Sequence, residues 1–187
     1  MNLIIIRNTE APSNKNFVVG GRCDESLTEK GVRQAQELAK QLRASINYDV
    51  IFSSPVNRAL ETANIINYKG IPVIVDERIT ERDPGNLLLK SRDLVNKSEL
   101  NSLDTLRTKD GSETLLSLIR RVKSFIEDLK KNYSDKNIVI VTHNSISRAF
   151  WLLNSVEPKS IDEINFYYQN SEKMQIYEDY IERGGLY

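Results

Sequence analysis

The sequence predicts an α/β fold in which helices flank a mostly parallel central sheet. Four short apolar runs, rich in β-branched residues, are typical of buried strands and lie at residues 3–6, 50–52, 73–75 and 137–141. The longer stretches between them carry apolar residues at helical spacing, which indicates amphipathic helices. Strands that alternate with helices favour a parallel sheet. With 187 residues, the chain is expected to form a single domain over residues 1–187.

The first half of the chain contains clear boundary signals for these elements. Residues 11–26 are rich in Pro, Asn and Gly and predict a long loop, which after a first strand is often functional. Thr28 is a candidate N-cap for the helix that follows. Pro55 suits the first turn of the next helix, which has Arg58 near its start.

The second half is uneven in the strength of its signals. Residues 86–110 are leucine-rich and predict one or two short helices that form a lid or flank, with plain packing as the alternative. A long amphipathic helix is expected from Ser112 to about Lys131. Met174–Tyr177 is predicted to be an edge strand, and residues 180–187 a frayed tail.

Composition excludes several classes of function. Lys plus Arg and Asp plus Glu both number 26, so there is no basic excess of the kind that nucleic-acid or membrane-surface binding requires. Cys23 is the single cysteine, which fits a cytoplasmic protein without an internal disulfide. With His143 as the single histidine, a Cys/His zinc site is not available, and no metal or other cofactor is expected.

Three chemistry-bearing side chains follow three predicted strands. Arg7, Arg58 and His143 stand at or just beyond the ends of the first, second and fourth strands. The carboxyl ends of parallel strands are where ligands bind in open α/β sheets. A lone histidine is more often structural, but two arginines beside it predict a pocket for a dianion such as phosphate. Glu81 lies in a charged run after the third strand, either exposed or held beside these arginines.

A series of motifs extends this pattern along most of the chain. In order they are Arg7-Asn8-Thr9-Glu10, Asn14, Gly21 to Asp24, Ser26 to Gly31, Ser53 to Ala63, Glu81-Arg82…Gly85, Glu113-Thr114 with Arg121-Val122, and Val141-Thr142-His143. Together they resemble the histidine phosphatase superfamily, in its phosphoglycerate mutase-like branch 1. At 187 residues the chain resembles the short members, such as the α-ribazole phosphatase type, more than the longer mutases. The resemblance implies a phosphoglycerate mutase-like three-layer α/β/α sandwich.

The resemblance also implies a metal-independent phosphoryl transfer in two steps. In this family the first histidine attacks phosphorus, a carboxylic acid protonates the leaving oxygen, and water then hydrolyses the phosphohistidine. Carried over, Arg7, Arg58 and His143 hold the phosphoryl group and Glu81 is the proton donor. Asn14 adds a hydrogen bond to the phosphoryl group, and Gly21 and Asn144 complete the substrate-binding residues.

The sequence departs from the family at the nucleophile. Position 8 is Asn where the family has His, and an amide nitrogen has no free lone pair with which to attack phosphorus. We therefore expect this chain to bind phosphate but to be inactive or strongly impaired. Either a working phosphatase has had its nucleophile replaced, or the protein is a natural pseudophosphatase. The retained Glu81 favours replacement, because a protein long released from catalysis has no use for a proton donor.

Other departures bear on the substrate. Asn86-Leu87-Leu88-Leu89 replaces the family's Gly-x-Trp-x-Gly run, which together with residues 86–110 indicates a different leaving group. The short chain favours a hydrolase over a phosphoglycerate mutase-like phosphomutase, which stays as an alternative. The expected ligand is a small phosphorylated metabolite or inorganic phosphate, and a homodimer is left open.

Overall fold

One sheet forms the centre of the computed structural model, which describes residues 1–102, 104–154 and 174–177. Its strands are β1 (Asn2–Arg7), β2 (Val50–Ser53), β3 (Val73–Val75), β4 (Asn137–Thr142) and β5 (Met174–Tyr177). They are ordered β3-β2-β4-β1-β5, with β1 to β4 parallel and β5 antiparallel to β1 at the edge. The predicted parallel sheet and edge strand are confirmed, whereas the predicted frayed tail at 180–187 lies outside the described residues.

Helices cover both faces of the sheet. They are α1 (Pro12–Lys15), α2 (Glu29–Ser45), α3 (Asn57–Ile66), α4 (Lys97–Leu100), α5 (Leu115–Asn132) and α6 (Asn144–Asn154). Alternate residues of β1 divide between two cores, as a period of two requires. Leu3 and Ile5 face α5 and α6, and Ile4 and Ile6 face α2 and α3. The result is the predicted three-layer α/β/α arrangement.

The N-terminus of α2 is fixed as the sequence predicts. The Thr28 hydroxyl accepts a hydrogen bond from the Gly31 backbone N–H at 3.0 Å, which satisfies one of the free donors of the first turn. Gly31 itself packs against the preceding chain, because a Cβ atom there would lie 2.1 Å from the Glu10 carbonyl oxygen. This close approach holds α2 against the segment that leaves β1.

The structure corrects three element boundaries. Residues 11–26 are not entirely loop, since they contain α1, with Pro12 preset for its first turn and the Asn14 side-chain oxygen accepting from the Ala11 N–H. Pro55 lies before the N-cap Val56 of α3 rather than inside the helix. The long helix begins at Leu115, not Ser112, because Thr114 has an extended backbone and the Leu116 N–H donates to the Ser102 carbonyl instead of to that of Ser112.

Residues 86–110 contain the predicted short helix, α4, preceded by single helical turns at Gly85–Leu87 and Arg92–Leu94. The segment is tied to the loop after α1 by backbone hydrogen bonds between Val19 and both Leu89 and Lys90, at 2.8 and 2.9 Å. It therefore stands beside the carboxyl ends of the strands. Within the part of the chain that the structure describes, every helix is too short or too polar to cross a membrane.

Replacing Gly31 with Ala should destabilise the protein by about 2 kcal/mol or more, because the new methyl group would overlap the Glu10 carbonyl. The sign of this stability change is informative, because replacing Gly with Ala inside a helix ordinarily stabilises a protein by about 1 kcal/mol. Denaturant unfolding would measure the change, with Gln36→Ala on the exposed face of α2 as the control. A gain in stability for Gly31→Ala would contradict the packing described above.

Candidate active site

The parallel register brings the ends of three strands together. Arg7 at the end of β1 pairs with Thr142 of β4, and Ser53 of β2 pairs with Val141 of β4. The next residue of each strand therefore converges at one point: Asn8 after β1, Ser54 after β2 and His143 after β4. Arg58 joins them from the first turn of α3. The predicted convergence of Arg7, Arg58 and His143 is thus present.

A cavity of about 280 Å³ opens at this edge of the sheet. Its wall contains most of the residues predicted for the site: Arg7, Asn8, Asn14, Gly21, Arg58, Glu81 and Asn144. Asn144 and Ser145 belong to the N-terminal end of α6, where free backbone N–H groups and the helix dipole favour an anion. His143 is fully buried and lies behind the cavity wall, in contact with Asn8.

Both ring nitrogens of His143 are held by protein groups. The Asn8 amide nitrogen donates to the Thr9 carbonyl, so Asn8 Oδ1 faces His143 and can only accept; Nδ1 therefore carries the ring proton and donates to it at 3.0 Å. Nε2 then accepts from the Ser54 hydroxyl at 2.7 Å, whereas Arg58 Nη2, also a donor, stays 3.4 Å from Nδ1. Burial, helped by the charges of nearby arginines including Arg58, lowers the pKa of His143 to about 3, although Glu81 opposes the shift. His143 is therefore a neutral imidazole at physiological pH.

The Asn8 side chain is ordered by two contacts. Besides accepting from His143, its amide nitrogen donates to the Thr9 carbonyl oxygen at 2.9 Å. The second N–H of that amide remains to face the cavity, which Asn8 lines. Asn8 can donate a hydrogen bond to a ligand oxygen but offers no lone pair for attack.

Arg58 is held on its outer side by acceptors of the loop before α2. Its Nη2 donates to the Gly21 carbonyl at 2.6 Å, and its Nη1 to the Cys23 carbonyl at 3.0 Å. The Glu25 carboxylate lies 3.4 Å from the same Nη1. Arg58 is 4% exposed, so a full positive charge is fixed at the wall of the cavity.

Glu81 lies on the cavity wall as a carboxylate. Burial alone would raise its pKa, but the charges of His143 and Arg58 and hydrogen bonds from the Arg82 backbone and the Ser145 hydroxyl hold the pKa below its usual range. Because His143 is itself neutral, we assign the lowering chiefly to Arg58 and the two donors. A bound dianion would add negative charge beside Glu81 and so raise its pKa. The higher pKa would favour the protonated carboxyl group, which is the form that can act as an acid.

Arg82 is a site residue that sequence reasoning did not single out. It is 7% exposed and lines the cavity, and its Nε and Nη2 are buried with no hydrogen-bond partner among the described residues. A buried guanidinium with unsatisfied donors is costly unless an anion completes it. Its place in the charged run after Glu81 gave no signal that this arginine, rather than its neighbours, turns inward.

Further residues of the wall were also not anticipated. Arg92 and Lys97 come from the 86–110 segment, Arg148 from α6 and Ser13 from α1. In all, the described part of the wall has six cationic side chains and one carboxylate, that of Glu81. In the described ranges no three His, Cys, Asp or Glu side chains group as they would around a metal ion.

Comparison with known proteins identifies the class to which this fold and site belong. Residues 3–181 match the profile of the histidine phosphatase superfamily (branch 1). Phosphoserine phosphatase 1 of Hydrogenobacter thermophilus is 34% identical over 159 residues, which cover 80% of this chain and 74% of that protein. The chain belongs to the histidine phosphatase superfamily, branch 1, whose members include phosphatases.

Solved structures agree with this assignment. A histidine-to-alanine mutant of phosphoserine phosphatase from Entamoeba histolytica, in complex with phosphoserine, has a TM-score of 0.75 and 27% identity, covering 91% of this chain and 85% of that one. The α-ribazole phosphatase of Shigella flexneri has a TM-score of 0.73 and 24% identity, covering 90% and 84%. The latter similarity establishes the shared fold.

The single histidine makes its protonation directly measurable. We expect the Cε1 proton resonance of His143 to stay constant between pH 8 and pH 5, because the folded-state pKa is about 3. Below pH 6.5 the unfolded chain binds a proton that the folded chain does not. The free energy of unfolding should therefore fall by about 1.4 kcal/mol per pH unit from this group as the pH drops from 6.5 toward 3. An NMR titration midpoint between pH 6 and 7 would contradict the buried neutral ring.

Proposed function

We propose that this chain binds a small phosphomonoester in the cavity at the ends of β1, β2 and β4, and that Asn8 prevents its rapid hydrolysis. The observation that carries the proposal is the charge of the wall, with six cations facing one carboxylate among the described residues. Arginine matches two phosphate oxygens at once, and Arg7 and Arg58 come from two sides of the cavity. The N-terminal end of α6 adds backbone donors for the same anion.

With histidine at position 8, the site would support phosphoryl transfer of the family type. The ring nitrogen would form a bond to phosphorus while the P–O bond to the leaving group breaks, and Glu81 would give that oxygen its proton. Water would then release phosphate and regenerate the histidine. Arg7 and Arg58 would stabilise charge on the transferring oxygens throughout. Asn8 removes the nucleophile and leaves the rest of this apparatus in position.

The other cations favour a ligand with a second anionic group. A phosphoryl dianion balances Arg7 and Arg58, which leaves four cations on the described wall against the one carboxylate of Glu81: Arg82, Arg92, Lys97 and Arg148. Arg82 is the strongest of these indications, because its buried Nε and Nη2 have no hydrogen-bond partner among the described residues. The E. histolytica relative binds phosphoserine, whose carboxylate is such a group. We therefore propose a phosphorylated acid or a bisphosphate as the ligand.

Asn8→His should raise the turnover of p-nitrophenyl phosphate by about a thousandfold or more over the chain as it stands. The assay would run at mildly acidic to neutral pH with chelator present. Asn8→Gln is the matched control, because it also changes the side chain but supplies no nucleophile. Acid-labile and alkali-stable phosphate on the protein during turnover would identify phosphohistidine.

The other outcomes of this assay have distinct meanings. Equal activity in the unchanged chain and Asn8→His would show that position 8 is not the nucleophile. Inactivity of both, with phosphate still bound in calorimetry, would favour a natural pseudophosphatase that senses a phosphorylated ligand. Failure of the unchanged chain to bind phosphate at all would overturn the proposed function.

Arg82→Met should have opposite effects on stability and on binding. Removing an unpartnered buried charge should stabilise the unligated protein by about 1–3 kcal/mol. The unchanged chain should bind phosphoglycolate more tightly than ethyl phosphate, and Arg82→Met should abolish most of that preference. Calorimetric titration measures the two affinities and denaturant unfolding measures the stability, with Arg33→Met on the exposed face of α2 as a control that changes net charge equally. An unchanged preference would show that Arg82 does not meet the second anion.

A further inference from the structure

Glu25 is a partly buried carboxylate next to a cavity whose described wall is mainly cationic. Its side chain is 10% exposed, and it is not part of the cavity wall. Its Oε1 accepts from the Ser13 hydroxyl at 2.5 Å and its Oε2 from the Ser13 backbone N–H at 3.0 Å. The Nη1 of Arg58 lies 3.4 Å from Oε1. Both carboxylate oxygens are therefore engaged.

The charge of Glu25 works against anion binding. A negative charge a few ångströms behind Arg58 lowers the positive potential that this arginine offers to phosphate. Burying the carboxylate also costs solvation, which only well-formed contacts offset. A neutral residue would avoid both costs, so the electrostatics of the cavity alone do not account for Glu25.

The geometry supplies a reason for the carboxylate. The two Nη atoms of Arg58 donate to the carbonyl oxygens of Gly21 and Cys23 and to the Glu25 carboxylate. Of these three acceptors, only the carboxylate carries a charge. Three acceptors on one side fix the plane of the guanidinium and its distance from the cavity. Fixing a long side chain before the ligand arrives removes an ordering cost from binding.

Glu25 also connects Arg58 to the loop that carries Asn14. Ser13, which makes two hydrogen bonds to the carboxylate, directly precedes Asn14 on the cavity wall. Gly20 closes this arrangement from above, since a Cβ atom there would lie 2.3 Å from the Ser13 hydroxyl oxygen. One carboxylate thus sets the relative positions of α1, the loop at 20–25 and Arg58.

We propose that Glu25 is a positioning residue that holds Arg58, and through Ser13 the Asn14 loop, in the arrangement that binds phosphate. The proposal rests on the phosphate-binding function proposed above. The proposal predicts that removing the Glu25 charge lowers the affinity for phosphate, whereas electrostatics alone would raise it. Loss of the carboxylate disorders Arg58 and weakens phosphate binding, although removal of a negative charge by itself would strengthen it.

The test is calorimetric titration of inorganic phosphate into the full chain and its variants. Glu25→Gln should weaken binding by about tenfold. In an Arg58→Met background only the Asn14 loop remains to be positioned, so Glu25→Gln should weaken binding by a clearly smaller factor than in the unchanged chain. A merely structural role would weaken binding by the same factor in both backgrounds. Glu37→Gln, which changes an exposed glutamate paired with Lys40, is the matched control and should have no effect.

The results distinguish failure of the proposed function from failure of the positioning role of Glu25. If the unchanged chain binds no phosphate, the proposed function fails. If it binds and Glu25→Gln binds equally or more tightly, the positioning role of Glu25 is overturned. Should Glu25→Gln fail to fold, Ser13→Ala keeps the charge and removes one anchor of the carboxylate. That variant should show a smaller loss of affinity, and unchanged affinity would also overturn the proposal.

Discussion

The parallel pairing of β1 and β2 with the central strand β4 is the constraint on which the rest of the site depends. The register that aligns Arg7 with Thr142 and Ser53 with Val141 ends the three strands at the same level. Their following residues must then meet, whatever the loops beyond them do. Four buried aliphatic residues in each of β1 and β4 fix that register, because a slip of one residue would carry the polar Asn2 or Arg7 into a core position.

The same register explains how an asparagine is accommodated at position 8. A buried polar side chain is costly when its donors and acceptors are unmet. Asn8 has its oxygen paired with the proton on His143 and one N–H paired with the Thr9 carbonyl, and Ser54 completes the chain of hydrogen bonds. Asparagine at this position therefore leaves no orphaned partner among the described residues, and the surrounding site keeps its geometry with it.

The sequence was sufficient to predict the strands, the flanking helices and the convergence of Arg7, Arg58 and His143, because these follow from hydrophobic periodicity and chain order. It was not sufficient for α1, which is too short to show a helical period. Nor could it find Arg82 or Glu25, since each is one charge among many in a polar stretch. Whether such a residue turns inward depends on tertiary packing, which local pattern does not record.

The inward charges also link ligand binding to stability. Several cations share one small cavity with the carboxylate of Glu81, and Arg82 is buried there without a partner among the described residues. Mutual repulsion among these cations therefore lowers the stability of the folded state, and a bound anion would relieve it. A ligand that binds only the folded state stabilises it according to its concentration relative to its dissociation constant. Because each negative group of a ligand would relieve part of this repulsion, we expect affinity for the cavity to depend first on the number of negative groups and only then on shape.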